Sequence, residues 1–186
     1  MKATRLAIPD VILLEPKVFG DVRGFFLESY NQKTFQDVTG LAPAFVQDNH
    51  SRSIHGVLRG LHYQIKQPQG KLARVTVGEV FDVAVDLRSE SKTFGKWASI
   101  QLSAANSLQA YLPKGVAHGF QTTMPNSILH YCLSSPYSSV SSIAIDAFGD
   151  LGIQWPIKEI SISERDSRGV TFAYAANQYA ESLIKI

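Results

Sequence analysis

The chain has 186 residues, of which 45% are apolar and 18% charged, with a formal net charge of +2. That length suits one domain with a buried core, and the balance is that of an ordinary globular protein rather than a disordered one. A charge so close to zero provides no field for nucleic acid, so any anion must be held by a local cluster. Cys132 is the only cysteine, which excludes an internal disulfide and fits a reducing compartment. The amino end has no basic region followed by a long apolar stretch and a cleavage site, and the apolar run at 11–14 is too short to span a bilayer. A cytoplasmic protein making no membrane contact is expected.

Strand-like runs bounded by Gly, Pro, Asn or Asp recur at 11–14, 24–30, 57–64, 71–77, 80–87, 97–102, 108–112, 128–134 and 142–145. Short strands at this spacing, with little helix between them, predict an all-β sandwich or barrel. Helical signal is confined to 31–38 and to a tail at 173–186. There is neither an internal repeat nor a low-complexity linker, so 1–186 reads as a single domain.

Four stretches stand out in chain order. Residues 19–28, Phe-Gly-Asp-Val-Arg-Gly-Phe-Phe-Leu-Glu, read as a Gly20-Asp21 turn leading into an aromatic strand. Arg23 and Glu28 are unusual choices there. Residues 47–64, Gln-Asp-Asn-His-Ser-Arg-Ser-Ile-His-Gly-Val-Leu-Arg-Gly-Leu-His-Tyr-Gln, gather three His, two Arg and two Gly. A strand serving only the core would not carry so many hydrogen-bonding groups, because burying them unpaired is costly. Arg59 offers a planar fork for phosphate and His62 a proton-exchanging group near neutral pH. Strict alternation puts these two on opposite faces; a bulge at Gly60 would bring them to one.

In 71–88, Gly78-Glu79 suggests a two-residue type II′ hairpin. That register pairs Val77 with Val80, Val75 with Asp82, Ala73 with Ala84 and Lys71 with Asp86. All eight then share one face, a lined pocket carrying Lys71 and two carboxylates, while Phe81, Val83, Val85 and Leu87 take the other. Residues 111–120 include Pro113-x-Gly-x-x-His118, which matches half of the cupin pattern. The other half needs His-x-His and an acid for a metal. Here that place reads His62-Tyr-Gln64, so no metal site is expected.

Together these motifs resemble the dTDP-4-dehydrorhamnose 3,5-epimerase family. The matching pieces are Gly20-Asp-x-Arg-Gly-Phe-Phe26, Gln47-Asp-Asn-His-Ser51, Gly56-Val-Leu-Arg-Gly-Leu-His-Tyr-Gln64, Gln69-Gly-Lys71 and Gly78-Glu-Val-Phe-Asp-Val-Ala-Val-Asp-Leu-Arg88. Thr93-Phe-Gly-x-Trp97, Pro113-x-Gly-x-Ala-His-Gly-Phe120 and Ile153-x-Trp-Pro156 complete them. The resemblance implies a cupin-like jelly roll (a double-stranded β-helix) with short peripheral helices. It implies inversion of carbons 3 and 5 of a dTDP-linked 4-keto-6-deoxy sugar, feeding L-rhamnose or a related deoxysugar into surface polysaccharide. Both carbons flank a ketone, so the chemistry asks for a base, an acid on the opposite face and a group that steadies the enolate.

Carried over by position, the resemblance makes His62 the base, Tyr131 the acid, Asp166 the group orienting His62, and Lys71 the partner of the enolate. Arg23 and Arg59 would grip the diphosphate. Glu28, Gln47, Asn49 and His118 would line the nucleotide and sugar site, and Tyr137 would stack on the thymine. No metal or organic cofactor is implied, and a homodimer is expected in which amino-terminal strands complete the partner's sheet. Taken alone, several of these residues read differently. Tyr131 shares a strand face with Leu129 and Leu133, as a core tyrosine would, and Asp166 suits a helix cap. His50, His55 and His130 read as structural or surface residues. The chain departs from the family pattern in the Ser-rich stretch 134–142 and at Arg165, where a lysine is more common. Alternatives are a single-carbon epimerase, a non-catalytic sugar-nucleotide-binding cupin, and a metal-dependent cupin enzyme.

Overall fold

The computed structural model describes residues 1–184. In chain order the strands are β1 (Lys2–Arg5), β2 (Ile12–Glu15), β3 (Val18–Asp21), β4 (Gly24–Leu27), β5 (Gln47–Ser53), β6 (Val57–Gln64) and β7 (Lys71–Val77). They continue with β8 (Glu79–Asp86), β9 (Trp97–Ser103), β10 (Gln109–Leu112), β11 (Val116–Thr122), β12 (Ser127–Leu133), β13 (Ser142–Ala144) and β14 (Ser161–Ile162). The helices are α1 (Gln32–Thr39), α2 (Glu164–Ser167) and α3 (Phe172–Ile184). The expected tail helix therefore forms from Phe172, and its last two expected residues, 185 and 186, lie outside the described residues.

Two six-stranded sheets face each other. The first runs β1-β2-β10-β7-β12-β5; the second runs β13-β6-β11-β8-β9, with β14 added to β6. All ladders are antiparallel except the short β14–β6 pair. This is the cupin-like jelly roll. The two short strands β3 and β4 form a separate hairpin belonging to neither sheet.

Three apolar layers hold the sandwich together. Between the sheets, Ala73, Val75, Val80, Ala84, Ile100, Leu102 and Leu129 form one cluster. Outside the first sheet, Phe35 of α1 packs on Ile12, Leu14, Leu72 and Tyr111. Outside the second, Ala175 and Tyr179 of α3 cover Val83, Val85 and Leu87, and the Tyr63 hydroxyl donates to the Ala175 carbonyl at 2.9 Å. α1 is capped at both ends: Asn31 accepts from the Thr34 amide, and Gly40 takes the left-handed conformation (φ 75), as helix termini favour.

The hairpin expected at Gly78-Glu79 does not form. β7 belongs to the first sheet and β8 to the second, and they are not paired. Gly78 (φ 73) instead turns a corner between the sheets, packed so closely on Ser127 that a Cβ would collide with it. The division of faces survives: Ala73 and Val75 meet Val80 and Ala84 in the core, while Phe81, Val83, Val85 and Leu87 lie under α3. Alternation dictates which side chains share a layer; it does not say whether they meet side by side or across a sandwich. Asp86 accordingly has no tie to Lys71. It is held by Arg88 Nε at 2.8 Å and by the hydroxyls of Ser91 and Thr93, each at 2.7 Å.

Candidate active site

Toward one end of the sandwich the inward side chains turn polar and enclose a cavity of about 700 Å³, within the usual range for small-molecule sites. The second sheet contributes Arg59 and His62 from β6 and His118 from β11; the first contributes Gln47 and Asn49 from β5, Lys71 from β7 and Tyr131 from β12. Tyr137 and Asp166 complete the wall.

His62 Nε2 lies 2.7 Å from Asp166 Oδ1. An ionised carboxylate only accepts, so Nε2 carries the ring proton and Nδ1 keeps the basic lone pair. Asp166 is fixed in turn: its second oxygen accepts from the Gly60 amide at 3.0 Å, and its own amide donates to the Ser163 hydroxyl that caps α2. Burial pulls the His62 pKa below the ordinary imidazole value; Asp166 opposes this, while Lys71 and Arg165 add to it. His62 is therefore a neutral base at pH 7. Burial raises the Asp166 carboxyl, but His62 and the Gly60 amide outweigh it and leave the pKa below the ordinary value.

β6 can offer both Arg59 and His62 to the cavity because its register against β11 slips between His62↔His118 and Arg59↔Phe120. The extra residue falls at Gly60–Leu61. Gly60 has φ 110, and a Cβ there would meet Gly119 Cα at 2.6 Å and the His118 carbonyl at 2.7 Å. Only glycine fits that close backbone approach. Arg59 Nε then donates to Ser53 Oγ at 3.0 Å.

A second imidazole–carboxylate pair stands beside the first: His118 Nε2 lies 2.7 Å from Asp82 Oδ2, with both side chains buried. Asp82 Oδ1 has no hydrogen-bond partner among the described residues. Lys71 reaches across from the first sheet, with Nζ 3.5 Å from the His62 carbonyl. Burial lowers its pKa to about 8, against support from Asp82. On the wall opposite His62, burial pushes the Tyr131 hydroxyl above its ordinary pKa, so it holds its proton at pH 7.

At the mouth, Gln47 accepts from the Tyr137 amide at 2.8 Å and donates to Asn49 Oδ1 at 3.1 Å. Arg165 donates to the Tyr137 hydroxyl at 3.2 Å and to Ser142 Oγ at 2.8 Å. It lines the cavity, at one of the positions where the chain departs from the family pattern. Arg23 and Glu28 are not in the cavity. Arg23 sits at the exposed tip of the β3–β4 hairpin, paired with Asp21 at 2.6 Å, because residues 18–27 fold on themselves rather than joining a sheet. Glu28 turns to the start of α1, where it accepts from Asn31 Nδ2 at 3.3 Å and Thr34 Oγ1 at 3.4 Å.

With a neutral base on one wall, a protonated hydroxyl on the opposite wall and a buried ammonium between them, the site can move protons on and off a carbon acid. Residues 5–174 match the sequence profile of dTDP-4-dehydrorhamnose 3,5-epimerases. The chain belongs to this family. It is 54% identical to dTDP-4-dehydrorhamnose 3,5-epimerase of Pseudomonas aeruginosa, over 94% of this chain and 98% of that one. It superposes with a TM-score of 0.90 and 42% identity on dTDP-6-deoxy-D-glucose-3,5-epimerase from Legionella pneumophila, solved in complex with dTDP-4-keto-L-rhamnose. That match covers 92% of this chain and 93% of the other. A 3′-monoepimerase from Streptomyces bikiniensis, in complex with dTDP-quinovose, superposes with a TM-score of 0.85 at 30% identity, covering 98% of this chain and all (100%) of that one. No helix among the described residues of this epimerase-family chain is long and apolar enough to cross a membrane.

Proposed function

We propose that the protein converts dTDP-4-dehydro-6-deoxy-glucose to dTDP-4-dehydro-L-rhamnose by inverting carbons 3 and 5. The observation that carries this reading is the approach of His62 and Tyr131 to one cavity from opposite sheets. Inversion removes a proton from one side of a carbon and returns it to the other. His62 Nδ1 takes the proton next to the ketone, and Asp166 stabilises the imidazolium that forms. The electron pair moves onto the ketone oxygen, where the Lys71 ammonium steadies the enolate. The Tyr131 hydroxyl then delivers a proton to the opposite face and is reprotonated from solvent. These steps need only side chains of this chain.

Arg59 is proposed to hold the diphosphate, with His118, Gln47 and Asn49 against the sugar and nucleotide and Tyr137 stacked on the base. For Arg23 and Glu28 to take part, a second copy must supply them. Two features support a homodimer of that kind. The β3–β4 hairpin exposes Phe25 and Phe26 by 69% and 68%. β5, which lines the cavity, is an edge strand with one side unpaired. An arm added to that edge would cover its aromatics and bring Arg23 toward the partner's cavity. The reaction is proposed to run in the cytoplasm, where the lone Cys132 thiol stays reduced.

The test is incubation with dTDP-4-keto-6-deoxyglucose in heavy water, following carbons 3 and 5 by NMR. Deuterium at both carbons is expected. Deuterium at one carbon would make the protein a single-carbon epimerase, the reading favoured by its likeness to the Streptomyces bikiniensis enzyme. Binding without exchange would leave a non-catalytic binding protein and overturn the mechanism.

A further inference from the structure

Behind the cavity, on the outer face of the first sheet, β5 and β12 bring together donor side chains that the epimerase chemistry does not use. Their register sets Asp48 opposite Cys132 and His50 opposite His130, with Asn49 opposite Tyr131 between them. Asn49 and Tyr131 line the cavity, whereas Asp48, His130 and Cys132 do not. One ligating atom from each of those three lies within 4.8 Å of the other two, the only such grouping of three among the described residues.

We propose that Asp48, His130 and Cys132 form a binding site for a zinc-class divalent cation. Each of the other two donors lies about one ligand–ligand edge from the Asp48 carboxylate, His130 at one oxygen and Cys132 at the other. His130 Nε2 is 3.3 Å from Asp48 Oδ2, and Cys132 Sγ is 3.6 Å from Asp48 Oδ1. Metal–ligand bonds of about 2.0 to 2.3 Å at tetrahedral angles put neighbouring ligand atoms about 3.3 to 3.6 Å apart. The donor set selects the metal: a thiolate and an imidazole favour zinc over magnesium or calcium, which take oxygen ligands.

Burial holds the His130 imidazole below its ordinary pKa; Arg74 and His50 add to this, and Asp48 opposes it. Burial, with Asp48, pushes the Cys132 thiol up to about 11, so binding breaks the S–H bond, forms the S–metal bond and releases the proton to solvent. Arg74, beside His130 on β7, is a competing positive charge. A cation here would tie β5 to β12 directly behind Asn49 and Tyr131.

The experiment strips the purified full-length protein with chelator and titrates it with zinc or cobalt(II). One ion per chain is expected, with the intense near-ultraviolet charge-transfer band of a thiolate–cobalt bond and a raised melting temperature in zinc. Cys132→Ser should abolish the band and the thermal shift. His130→Asn should weaken zinc binding by more than the about 10- to 100-fold that loss of a residue supporting a ligand costs. His130→Asn also keeps the test decisive if Cys132→Ser fails to fold. Arg74→Gln should tighten binding, and His62→Asn should leave it unchanged. A wild-type protein without the band, affinity indifferent to His130→Asn, or binding lost with His62→Asn would each overturn the proposal.

Discussion

His62 and His118 sit opposite each other on adjacent strands, and each is 2.7 Å from its own carboxylate. The pairs nevertheless differ in setting. The His62 side chain is 31% exposed, and Asp166 has both oxygens bonded. The His118 side chain is 7% exposed and Asp82 1%, with one Asp82 oxygen unpartnered near the Lys71 ammonium. An imidazole open to the cavity and backed by a satisfied carboxylate can gain and lose a proton within a catalytic cycle. A sealed imidazole whose carboxylate also balances a buried cation is part of the wall. Under the proposed mechanism the same two residue types serve as machinery in one place and scaffold in the other.

The sharpest way to break this contrast is to remove each imidazole. His62→Asn is expected to lower turnover by about 10² to 10⁴ while sparing the fold, since general-base loss costs that much. His118→Asn should do the reverse, costing about 1 to 3 kcal/mol of stability by stranding a buried acceptor while retaining more turnover. Denaturant melts beside steady-state rates decide it, and equal losses in both columns would erase the distinction. Tyr131→Phe is expected to lower epimerisation about 10²-fold while solvent deuterium still enters the substrate, because abstraction needs only His62. If exchange and inversion vanish together, Tyr131 is not the acid.

A subtler effect lies in the pH profile of turnover. Below its lowered pKa His62 is protonated and cannot accept, so the acid limb should fall below the ordinary imidazole value of about 6.5. Above about 8 Lys71 loses its charge, so the rate should fall again as the enolate loses its partner. Asp166→Asn removes the group that raises the His62 pKa and should move the acid limb lower. Lys71→Gln should remove the alkaline limb, and a limb that persists would assign it elsewhere. The smallest effect is expected from Ser142→Ala, which frees one Arg165 contact and should raise KM less than about tenfold.

How much of this the residues announced depended on the range of the interaction. Most strand runs and the helices α1 and α3 were legible because alternation and helical pattern are local. β5 escaped the strand reading because it is polar on both faces, one lining the cavity and the other facing outward. The Gly60 bulge was foreseeable from the conflict between Arg59 and His62, and Gly119 across the ladder explains why it must be glycine. The Gly78 hairpin misled because a two-residue turn and an inter-sheet corner ask for the same conformation. Nothing near His62 in the chain points to Asp166; that pairing came from family resemblance alone. Arg23 and Glu28 came the same way, and they lie outside the cavity of a single chain.

The His62–Asp166 contact closes a separation of 104 positions, with a loop-closure cost that only the finished sandwich can offset. During synthesis the imidazole of β6 is made long before its carboxylate. Until α2 has emerged and docked, no growing chain carries an oriented base. Truncated products that stop short of residue 166 are therefore expected to be inert toward the nucleotide sugar, and recovery of activity on refolding should report formation of this contact rather than the first collapse.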